Sequence, residues 1–90
     1  MKRRSRFEVY LDLLKAVRET SKPTHIGNMT NLSWKDTMKH LKFLEQEGFV
    51  KAIKKPNGRA EYKLTPRGLE ALESLERVTE ALTPSVETAR

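Results

Sequence analysis

Ninety residues suffice for one small domain and not for two, and a domain of this size buries only about two thirds of its unfolded surface, so a partner subunit would help it. With 18 Lys and Arg against 12 Asp and Glu, a formal charge of +6, the chain suits an anionic partner, though charge alone does not separate DNA from RNA or an acidic membrane. The absence of cysteine excludes disulfides, a thiol nucleophile and a thiolate metal site, and no apolar run approaches the roughly 18 residues of a membrane span.

The charge is uneven: residues 1–60 hold 14 Lys and Arg against 6 Asp and Glu, whereas residues 61–90 hold 4 against 6. Met1 to Arg6 forms a basic arm, with Lys2, Arg3, Arg4 and Arg6 placed to lie along a phosphate backbone or to remain loose. From about Ser5 to Thr20 the spacing of Phe7, Tyr10, Leu11, Leu14 and Val17 predicts a helix with a core-facing stripe, and Val9, Leu13 and Ala16 extend the apolar arc to a second side. Because this helix contains Glu8 and Asp12, it is no signal-peptide core, and the chain is read as a soluble cytoplasmic protein. Ser21-Lys22-Pro23 breaks the helix, and Thr24 is expected to cap a short one over His25–Thr30 that turns Ile26 and Met29 inward.

Asn31-Leu32-Ser33 is the expected joint between that short helix and the next. Ser33 caps the new helix, Asp36 sets negative charge near its positive end, and Gly48 stops it. Between cap and stop, Trp34, Thr37, Met38, Leu41 and Leu44 fall on one side of the wheel and Lys35, Lys39, Lys42 and Gln46 on the other. A lysine stripe is also what an ordinary solvated face looks like, so its place in the chain carries the argument. His25 and His40, the only histidines, have no second ligand or nucleophile at useful spacing, and neither a metal site nor a cofactor is indicated.

After Gly48 the pattern alternates. Two short β-rich runs, Phe49–Ile53 and Ala60–Leu64, flank Pro56-Asn57-Gly58, which predicts a hairpin with a basic tip formed by Lys54, Lys55 and Arg59. Thr65-Pro66 then opens a last helix over 66–82, whose Gly68 suggests close backbone packing. Ala71, Leu75, Val78 and Leu82 repeat at heptad spacing and are the expected dimer seam, while Glu73 and Arg77 are placed to pair on the outside. The fold class is mainly α with a small β-hairpin in one domain over residues 1–82, followed by a flexible tail over 83–90. No catalytic pair or phosphate-cradling loop is present, so the chain is not read as an enzyme and no small-molecule substrate is inferred.

Arg3-Arg4-Ser5-Arg6, Thr24-His25-Ile26, Asn31-Leu32-Ser33-Trp34, Leu41-Lys42-Phe43-Leu44-Glu45, Gly48-Phe49-Val50 and Thr65-Pro66-Arg67-Gly68 follow one another over about residues 3–82. In that order they resemble the winged helix-turn-helix proteins, and more narrowly the small archaeal DNA-binding members whose last helix forms an antiparallel coiled coil between two subunits. The resemblance implies a dimer on double-stranded DNA without a cofactor, in the cytoplasm or on the chromosome. It puts the recognition role on Lys35, Lys39 and Lys42 and the wing role on Lys55 and Arg59. The early Pro84 departs from members with a longer last helix. The competing expectation is a winged-helix assembly module without DNA contact, which the apolar Phe43 beside the stripe favours.

Overall fold

Helix formation begins at Ser5, whose hydroxyl accepts from the Glu8 amide while the Glu8 carboxylate accepts from the Ser5 amide, a reciprocal pair at 3.1 and 2.9 Å. The computed structural model describes residues 5–82; Arg3, Arg4 and the tail expected over 83–90 lie outside the described residues. Arg6 is therefore the first residue of a helix, α1 (Arg6–Glu19), and not part of an arm. Then follow α2 (Pro23–Thr30), α3 (Trp34–Gln46), β1 (Val50–Lys54), β2 (Ala60–Leu64) and α4 (Pro66–Leu82). The architecture is mainly helical with one two-stranded antiparallel hairpin, as expected.

The core gathers where the helices converge: Leu13, Leu14, Ala16 and Val17 of α1, Ile26 of α2, Leu41 and Leu44 of α3, Val50 and Tyr62 of the hairpin, and Leu72 of α4 are all buried. The second side of α1 is thus covered within the chain. Phe7, expected inward, is 43% exposed, because it lies at the start of α1 outside that cluster. Met29 is exposed as well, and Gly27 and Thr30 take the inward positions beside Ile26. Small residues there let α2 cross close over Thr37 of α3, and the Thr30 hydroxyl is satisfied by the Ile26 carbonyl at 2.8 Å. Nor does Thr24 cap α2. Pro23 occupies the first turn and Lys22 precedes it without a side-chain cap.

The joint between α2 and α3 follows the expected chemistry. Asn31 takes a left-handed conformation (φ 59°, ψ 41°), the Leu32 amide donates to the Gly27 carbonyl at 3.0 Å, and the Ser33 hydroxyl accepts from the Asp36 amide at 3.1 Å. Val50 pairs with Leu64 at the base of the hairpin and Lys54 with Ala60 at its tip. The turn closes through a bond from the Gly58 amide to the Lys55 carbonyl at 2.9 Å, and Gly58, at φ 85°, supplies the positive φ. The Ser21 carbonyl accepts from the Tyr62 amide at 2.8 Å, tying the α1–α2 connection to the outer edge of β2.

At the start of α4 the Thr65 hydroxyl accepts from the Gly68 amide at 3.0 Å and donates to the Gly48 carbonyl at 2.6 Å. Gly68 is buried against the Phe49 carbonyl, so the close backbone packing suggested by that residue is realised at the entrance to the hairpin. Arg77 donates to the Ser74 hydroxyl at 3.2 Å in place of the expected pair with Glu73.

Candidate nucleic-acid interface

The inward face of α3 is made by Thr37, Leu41 and Leu44, all buried. At 100° per residue the opposite side of that helix is the Lys35, Lys39, Lys42 and Gln46 stripe, and all four are exposed. Ser33, also exposed, serves α3 as its cap. One member of the expected inward face is misplaced: Trp34 is 60% exposed. It sits roughly 50° round the helix from the buried centre, in the first turn, and faces the hairpin beside Met38.

The hairpin places its charges unequally. Lys54 and Arg59 are exposed at the tip, with the Arg59 amide held by the Asn57 side chain at 2.9 Å. Lys55 lies 3.8 Å from the Glu61 carboxylate, which also accepts from the Ser21 hydroxyl at 3.0 Å, so part of its charge is spent within the chain. Sequence reasoning did not single out Lys51 and Lys63, which are directly opposite each other on the strands and both exposed. Like charges so placed disfavour the strand pair, a signal that needs the register before it can be read.

Where α1 meets α3, Tyr10 stacks on Phe43 (centroids 5.5 Å apart) and meets the His40 ring edge-on at 5.3 Å, with its hydroxyl 3.3 Å from His40 Nδ1. Burial holds the His40 imidazole below its ordinary value of 6.5; Asp36 works against this, and Lys39 and Arg6 add to it. A folded-state value below the unfolded one means that His40 contributes stability above its unfolded value and loses it as pH falls through the folded value. The melting temperature should therefore drop between about pH 7.5 and about pH 5.5, and His40→Gln should flatten the drop. An equal drop in both proteins would clear His40 of the effect.

The expected dimer seam is divided. Ala71 and Leu75 are half-buried against the core of their own chain, whereas Val78 and Leu82 are 47% and 69% exposed. Ala71, Leu75 and Val78 line one wall of a cleft of about 380 Å³ whose other residues include Tyr10, Phe43 and Phe49. Phe43 itself is 43% exposed. Among the described residues no group of His, Asp and Glu is arranged to hold a metal ion, and no helix is long and apolar enough to cross a membrane.

A family model described as winged helix-turn-helix matches residues 3–83. A search of curated proteins finds no match. Among solved structures, the chain is similar to the transcriptional regulator BldR from Sulfolobus solfataricus, with a TM-score of 0.79 and 20% identity over 90% of this chain and 60% of that one. The transcriptional regulator MosR of Mycobacterium tuberculosis, in complex with DNA, gives 0.77 and 13% identity over 91% of this chain and 62% of that one. A PadR-like transcriptional regulator from Bacillus cereus gives 0.77 and 17% identity over 90% of this chain and 89% of that one. The chain thus spans about three fifths of the length of BldR and MosR. At these identities the likeness is one of fold.

Proposed function

The chain belongs to the winged helix-turn-helix family, and from that premise we propose that it is a DNA-binding regulator that lays α3 in the major groove and rests its hairpin tip on the flanking backbone. The observation that carries this reading is the joint exposure of Lys35, Lys39 and Lys42 on the side of α3 opposite its buried residues. Gln46 continues the stripe, Lys54 and Arg59 serve the tip, and Lys55 contributes less because of Glu61. Arg6, close enough to His40 to depress its proton affinity, brings another cation toward α3. Arg3 and Arg4, just before α1, would add to the same positive charge. Lysine meets phosphate as a flexible point charge, so affinity is dominated by the backbone and sequence preference is modest.

The working unit in this proposal is a homodimer of a single domain over residues 1–82, acting on the chromosome in the cytoplasm. Val78 and Leu82 supply the free part of its α4 seam and Ala71 and Leu75 the rest, and a two-fold pair would set its α3 helices about 34 Å apart. The regulators BldR and MosR share the fold, and the DNA in the MosR structure is consistent with this use of it. The alternative of an assembly module draws on exposed Phe43 at the edge of the apolar cleft.

Titration of labelled duplex across a salt series, with oligomeric state followed by sedimentation, tests the proposal. Lys39→Ala should weaken binding to every sequence alike and lower the slope of log affinity against log salt by about 1. Unchanged affinity and slope would remove Lys39 from the interface, and a monomer at binding concentrations would remove the dimer.

A further inference from the structure

Between the first turn of α3 and the returning arm of the hairpin lies a second cleft, of about 580 Å³, lined by Lys22, Thr24, Trp34, Met38, Asn57 and Arg59 among others. It differs from the apolar cleft beside α4 in that its lining combines an indole with two cations. Trp34 is 60% exposed there, and neither Lys22 nor Arg59 has an ion-pair partner among the described residues. The one carboxylate in the lining, Glu61, is engaged by Lys55 at 3.8 Å and by the Ser21 hydroxyl at 3.0 Å.

We propose that this cleft seats one strand of the DNA duplex, with Trp34 against the deoxyribose face and Lys22 and Arg59 on the adjoining phosphates. The inference rests on the DNA-binding reading above and adds to it a contact of another kind. An exposed indole sharing a cleft with two cations that have no ion-pair partner among the described residues suits a nucleic-acid strand, in which an apolar sugar follows each charged phosphate. Removal of the indole from water is an apolar gain that releases no counterions. Trp34 would therefore raise affinity without adding to its salt dependence, which separates it from the lysines of α3.

The chain contains a single tryptophan, so its emission reports on this position alone. Unlabelled duplex added to the full chain should quench the emission and shift it to shorter wavelength, saturating at the concentration that saturates the anisotropy of labelled duplex. Trp34→Ala should lower affinity about tenfold, as loss of a well-covered aromatic contact does, and leave the salt slope unchanged. Trp34→Phe should restore most of the affinity. Circular dichroism of both variants should match the parent, since the side chain is outside the core.

Duplex that binds by anisotropy while tryptophan emission stays constant would overturn the seating of a strand in this cleft and leave the α3 reading intact. So would a Trp34→Ala variant that binds as the parent does, or one whose salt slope falls by about 1 as for a lysine. If the parent protein fails to bind duplex even at low salt, both readings fall together.

Discussion

Gly68→Ala is expected to destabilise the fold by about 2 to 3 kcal/mol, although alanine is the better helix former by about 1 kcal/mol. A methyl group at this position would run into the Phe49 carbonyl and meet the Leu64 side chain at 3.3 Å. That carbonyl cannot move aside freely, because it also accepts from the Thr65 amide at 3.1 Å. Gly58→Ala makes the internal comparison. It faces open space, so its cost is only that of a left-handed backbone, about 1 kcal/mol. Urea denaturation of the two variants should rank them in that order. A Gly68→Ala protein as stable as the parent would show that α4 can lift from the hairpin without penalty.

Replacing Lys35, Lys39 and Lys42 together with alanine should reduce duplex affinity on the order of a hundredfold or more at low salt, with the salt slope falling by about 3. The change should leave folding nearly untouched, since all three side chains are exposed and alanine favours the helix. This combination matters because each lysine alone contributes a modest amount that neighbouring charges partly mask. If affinity drops only a few fold, the polyanion is bound elsewhere, and the opposed Lys51 and Lys63 pair on the hairpin becomes the first place to look.

Most of the architecture could be read from the chain, because its signals were local. Ser5, Ser33, Gly48 and Pro66 mark helix ends through backbone chemistry that needs no tertiary information. The lysine stripe was legible for the same reason: its direction follows from 100° per residue once the cap is placed. Burial depends on what a neighbouring element covers, and this is where periodicity misplaced residues. Trp34, Phe7 and Met29 are apolar and near the inward side of their helices, yet each lies beyond the covering element. The partial neutralisation of Lys55 by Glu61 likewise depends on the strand register, and the bond from Arg77 to Ser74 depends on a side-chain conformation that i, i+4 spacing does not fix.

The Thr65 hydroxyl joins the carbonyl that ends α3 to the amide in the first turn of α4, within a contact too tight for a methyl group. The two helices are therefore braced to each other like the legs of a fixed caliper. In a pair built through α4, tilting the seam by a few degrees would swing both lysine faces by a similar angle, and the distance between them would be governed at a joint remote from either groove.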